Sequence, residues 1–151
     1  PGQAVVMTAS GLAALPAFNA ALDAPRQFSA LILFDPVSDV ARMARLGDSA
    51  GWLDRVGNPV DPAIQAKLAQ IASLQRITRR STLPPALILA TSSARYHPAH
   101  ARKLAQRLRE HGLDAIYHEA SAPSGDFAYA LALAALYLGK VPAIPPATRP
   151  H

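Results

Sequence analysis

Four short apolar runs frame this chain: Ala4–Met7 (AVVM), Phe28–Phe34 (FSALILF), Ala86–Ala90 (ALILA) and Ala115–His118 (AIYH). The second and third are aliphatic enough to be strands covered on both faces, as the strands of parallel sheets are. Stretches of helical pattern lie between and after them: Leu12–Leu22 with an interruption at Pro16, Asp39–Leu46, Ala63–Ile71, Pro98–His111 and Phe127–Leu138. Strands alternating with helices imply parallel βαβ units. The predicted fold class is therefore α/β, with about four parallel strands in chain order and helices on both faces. The clearest helix is Pro98–His111, where Leu104 and Leu108 share one face and Arg102, Arg107 and Arg109 lie mainly around the other. Gly112 is placed to stop it. Asp35-Pro36 reads as a turn and Asp39 as a helix cap. Four strands make a small sheet whose first strand has no partner before it, the pattern of a half-domain.

Composition narrows the function classes. Half of the 151 residues are hydrophobic, which supports a core and argues against wholesale disorder. The absence of cysteine removes disulfide frameworks, thiolate metal sites and cysteine nucleophiles together. The run Ala128–Leu138 has 11 residues, short of the ~18–20 needed to span a bilayer, so no membrane partner is expected. The net charge is +5, yet the arginines are scattered. The densest group, Arg76, Arg79 and Arg80, falls in a predicted loop without interleaved aromatics, so no nucleic-acid partner is expected. Residues 141–151 carry four prolines and read as an extended tail behind a folded unit of residues 1–140. Pro1-Gly2-Gln3 has neither an initiator Met nor a signal pattern, so Pro1 reads as a processing boundary.

In parallel α/β sheets function gathers beyond the carboxyl ends of the strands. Here those ends are Thr8–Gly11, Asp35–Val37, Thr91–Tyr96 and Glu119–Asp126. The strand–serine–helix junction at Ser10 invites comparison with the nucleophile elbow G-x-S-x-G, in which the serine sits on a sharp, strained turn. The residues are Thr8-Ala9-Ser10-Gly11-Leu12, without either flanking glycine, and on their own they describe an ordinary turn serine. His97 and His100 are three residues apart and would suit a metal only if a carboxylate joined them. Asp114 and Glu119 have no ligand-like pattern, so neither a metal nor another cofactor is expected.

From Phe28 onward the chain resembles the C-terminal part of the prolyl oligopeptidase-type serine peptidase domain. The resemblance rests on GWLDRVGNP (Gly51–Pro59), LPPALIL (Leu83–Leu89) and RYHPAHARKLAQRLREHG (Arg95–Gly112), in the family's order and spacing. It extends over Ala4 to about Lys140, and implies a partial α/β-hydrolase sandwich that starts at the nucleophile strand. By that resemblance Ser10 falls at the nucleophile position, and Gly11 supplies a backbone amide to the oxyanion. Ser93 stands where the catalytic aspartate belongs and Ser124 where the histidine belongs. Trp52 matches the tryptophan that stacks on the substrate proline, and Arg95 the arginine that holds a substrate carbonyl.

A serine hydroxyl is a poor nucleophile until a neighbouring base takes its proton, and the acid fixes that base's tautomer. Serine at positions 93 and 124 does neither job. The expected function is thus a prolyl oligopeptidase-like hydrolase fragment that is inactive as it stands and retains a surface for a peptide-like ligand or a partner chain. One alternative is an active serine hydrolase with a non-standard triad, its histidine being His97 or one supplied by another chain. A second is a structural or oligomerisation fragment. The exposed first strand calls for a partner, either a missing N-terminal half or a second copy.

Overall fold

A computed structural model describes residues 5–40, 43, 61–91, 96–120, 137 and 139. Four strands, β1 (Val6–Ser10), β2 (Ala30–Phe34), β3 (Ala86–Thr91) and β4 (Ala115–Ala120), form one sheet in the order β1-β2-β3-β4. Every pairing is parallel, as the alternation of strand and helix patterns predicts. The helices whose bounds lie within the described residues are α1 (Ala14–Asp23), α2 (Pro62–Ile71), α3 (Ser73–Arg76) and α4 (Ala99–Glu110).

The central strands are buried on both faces, and the two faces hold different cores. Leu31, Leu33, Ala86, Ile88 and Ala90 pack with Ala14, Phe18 and Ala21 of α1 and with Ala101, Leu104, Ala105 and Leu108 of α4. Ile32, Leu87 and Leu89 point the other way, where Val6, Phe34 and Tyr137 pack against them. Each fully buried aliphatic side chain contributes about 1.5–3 kcal/mol, so β2 and β3 anchor the fold.

Local chemistry explains most element ends. Asp61 caps α2 by accepting from the Ala63 amide at 2.8 Å, and Pro62 occupies the first helical position, where a missing N–H has no consequence. Asp39 accepts from the Met43 amide at 3.0 Å through its backbone carbonyl, the bond of a helix's capping residue. Gly112 ends α4 in left-handed backbone at φ +71°, and the Leu113 amide reaches back to the Leu108 carbonyl at 3.0 Å.

Three sequence expectations are corrected. Pro16 does not interrupt its helix, because it lies in the first turn of α1, where no carbonyl four residues earlier belongs to the helix. Arg76 is not in a loop: it ends α3 and pairs with Asp23 at the end of α1. The first strand does not stop at Met7. Thr8, Ala9 and Ser10 continue it opposite Ile32, Leu33 and Phe34, so the turn begins at Gly11. The helix expected over Asp39–Leu46 is helical at Val40 and Met43, and that over Phe127–Leu138 at Tyr137. Their remaining residues, and the tail, lie outside the described residues.

Candidate active site

The carboxyl ends of β1, β2 and β3 meet at Ser10, Phe34 and Thr91. Ser10 is the last residue of β1 and faces Phe34 across the strand pair. Its backbone is ordinary extended strand (φ −132°, ψ 151°), and its hydroxyl makes no capping bond to the turn that follows. Gly11 makes that turn, at φ +54°, and is buried. Its carbonyl accepts from the Val37 amide at 3.0 Å, which ties the turn to the segment after β2. The ring of Tyr96 lies against it: a Cβ at Gly11 would stand 2.5 Å from Tyr96 Cε2 and 3.2 Å from Cδ2. Tyr96 itself packs on the cluster of Leu15, Val37, Val40, Met43 and Leu68.

The described polar groups at this end of the sheet are engaged with one another rather than with Ser10. Asp35, at φ +43°, holds a left-handed backbone that aspartate tolerates better than most residues. Its carboxylate accepts from the Thr91 amide at 2.6 Å and from the Thr91 hydroxyl at 3.1 Å. The turn predicted at Asp35 is therefore also a clasp between the ends of β2 and β3. Glu119 of β4 accepts two bonds from Arg102, at 2.8 and 2.6 Å, and one from the Tyr117 hydroxyl at 2.5 Å. The Arg102 guanidinium, and then the Tyr117 hydroxyl, pull the Glu119 carboxyl down to about 2. Burial, and then the bond to Glu119, push the Tyr117 phenol up to about 12.

The two histidines of the α4 entry part company. The His97 Nδ1 accepts from the Ala99 amide at 3.1 Å and so caps α4. His100 is fully buried, and its backbone carbonyl accepts from the buried Ser38 hydroxyl at 2.9 Å. An exposed cap and a core residue do not converge on one ion, so the pair has no ligand geometry.

This sheet matches solved structures of prolyl oligopeptidases and, with a TM-score of 0.55 over 89% of this chain and 56% of its own at 17% identity, a carboxylesterase from Lactobacillus plantarum. A prolyl endopeptidase structure superposes with a TM-score of 0.77 over 91% of this chain and 22% of its own, at 17% identity. A post-proline cleaving enzyme from Rickettsia typhi superposes with a TM-score of 0.69 over 77% of this chain and 17% of its own, at 21% identity. The fold is that of the prolyl oligopeptidase α/β-hydrolase domain, in part. In sequence, the uncharacterized peptidase y4nA of Sinorhizobium fredii is 29% identical over 96 residues, 63% of this chain and 13% of that protein. No family model matches the chain. The chain thus spans less than a quarter of y4nA and of each of the two peptidase structures.

On this scaffold Ser10 and Gly11 stand at the carboxyl end of β1, with the Tyr96 ring against Gly11. Trp52, Ser93, Arg95 and Ser124 lie outside the described residues. Reading the sequence missed Tyr96. Its one signal is position, a large aromatic directly after Arg95 in the segment Arg95–Gly112 that helps carry the resemblance, and nothing local places its ring on Gly11. Glu119 was weighed only as a metal ligand, and its partner Arg102 only as a polar-face residue.

Proposed function

We propose that this chain is a non-catalytic part of a prolyl oligopeptidase-like hydrolase domain, acting through binding of a peptide-like ligand or a partner chain. The observation that carries the reading is the state of Ser10. It lies in unstrained strand backbone, and the described acids and imidazole at the carboxyl end of the sheet have other partners: Asp35 bonds Thr91, Glu119 on the far strand β4 bonds Arg102 and Tyr117, and His97 bonds Ala99. An unactivated hydroxyl without a base has negligible nucleophilicity at neutral pH. Serine at positions 93 and 124, where the resemblance calls for an acid and a base, supports the same reading. Among the described strands β1 has a neighbour on one side only, and its other edge is the natural partner surface, since an unpaired strand edge recruits another strand.

A fluorophosphonate probe and a proline-containing peptide substrate test the proposal. No covalent labelling and no turnover are expected. Labelling or hydrolysis that disappears in Ser10→Ala would establish an active serine hydrolase instead.

A further inference from the structure

In a nucleophile elbow the reactive side chain stands on the strained residue between strand and helix. In this chain that residue is Gly11, in left-handed backbone, which follows β1 directly and opens the 3-10 turn Gly11–Ala13. Ser10 precedes it in regular strand. By the twofold alternation of a strand, Ser10 shares a face with Thr8 and Val6, and Val6 packs on the Ile32–Leu87–Leu89 core, on the side away from α1. Ser10 is a face residue, not an apex residue.

We infer that residue 11 holds the reactive position of this turn, and that the Tyr96 ring has taken the volume a reactive side chain there would need, closing the site to substrate. The three atoms nearest the missing Cβ all belong to that ring: Cε2 at 2.5 Å, Cδ2 at 3.2 Å and Cζ at 3.5 Å. Contact at 2.5 Å is repulsive for any carbon, so a side chain at position 11 and the ring at its observed place exclude each other. The ring is backed by the Leu15–Val37–Val40–Met43 cluster, and the turn is held by the bond from the Val37 amide to the Gly11 carbonyl. An acyl group approaching the apex meets the same ring. The inference rests on the non-catalytic reading and adds to it the residue that does the closing.

The chain has no cysteine, so one introduced thiol reports on its own surroundings. Gly11→Cys and Ser10→Cys are each made with Tyr96 intact and with Tyr96→Ala, and the thermal midpoint and the iodoacetamide labelling rate of the folded protein are measured. With Tyr96 intact, Gly11→Cys is expected to lower the midpoint by about 10 °C. Tyr96→Ala is expected to restore part of that loss and to speed labelling at position 11 about tenfold, with position 10 unchanged. Gly11→Cys that folds only beside Tyr96→Ala gives the same support. Equal stability and labelling in both backgrounds, or failure to fold in both, overturns closure by the ring. Turnover by the unaltered chain would instead sink the non-catalytic reading and leave the thiol comparison standing.

Discussion

At the β1 edge the chain leaves its strand through Gly11, buried beneath the Tyr96 ring. At the β4 edge it enters its strand after Gly112, where a Cβ would meet nothing within 4 Å. Both glycines have positive φ, +54° and +71°. At Gly112 glycine answers a backbone need alone, the end of α4. At Gly11 it answers that need and a packing need together. The edges differ in charge as well: β1 reads VMTAS with no ionisable side chain, whereas β4 carries Glu119 tied to Arg102. One edge is closed by packing at its end and left neutral along its length. The other is open at its turn and guarded by an ion pair.

The sharpest break in this comparison is alanine at each glycine. Gly11→Ala is expected to destabilise by about 2–5 kcal/mol, since left-handed backbone and overpacking both apply. Gly112→Ala carries the backbone penalty alone, about 1–2 kcal/mol. Equal values in urea denaturation would show that Tyr96 does not crowd Gly11.

The third positive-φ residue, Asp35, separates backbone from side chain. Asp35→Ala removes the acceptor for the part-buried Thr91 amide at unchanged φ, and should cost about 1–3 kcal/mol. Asp35→Gly relieves the backbone and should be the milder of the two. The reverse ranking would mean that the carboxylate clasp contributes little.

The neutral edge leads to association. Sedimentation of the chain is expected to show concentration-dependent self-association in the micromolar range, reduced by Thr8→Lys at an exposed position of β1. A species of 15.9 kDa at every concentration would show that the β1 edge is covered from within the chain.

The smallest effect belongs to the charged edge. The Glu119 carboxyl is lowered from 4.5 to about 2 in the folded chain. Its contribution is therefore present in full above the unfolded value, and is lost as pH falls from there through about 2. Glu119→Gln should be less stable than the parent at pH 6, and the gap should close by pH 2. Because Arg102 is largely exposed, added salt should narrow the gap at pH 6. A gap independent of pH would assign the effect to packing.

Much of this molecule is written locally. Runs such as Ala86–Ala90, the capping Asp61-Pro62 pair and the stop at Gly112 act over a few residues, so four parallel strands in chain order were legible from periodicity and punctuation alone. The turn at Asp35 was legible too, because Asp-Pro favours one wherever it stands; its clasp on Thr91 was not. The length of β1 depended on a partner. Thr8, Ala9 and Ser10 have turn-forming composition, and only pairing with Ile32, Leu33 and Phe34 keeps them extended. That extension by three residues moves the turn from Ser10 to Gly11, and with it the position that a reactive side chain would hold. Tyr96 reaches Gly11 only after β2, β3 and the entry to α4 have been assembled between them. Local pattern chose the elements, and long-range pairing and packing chose which residue stands at the site and what covers it.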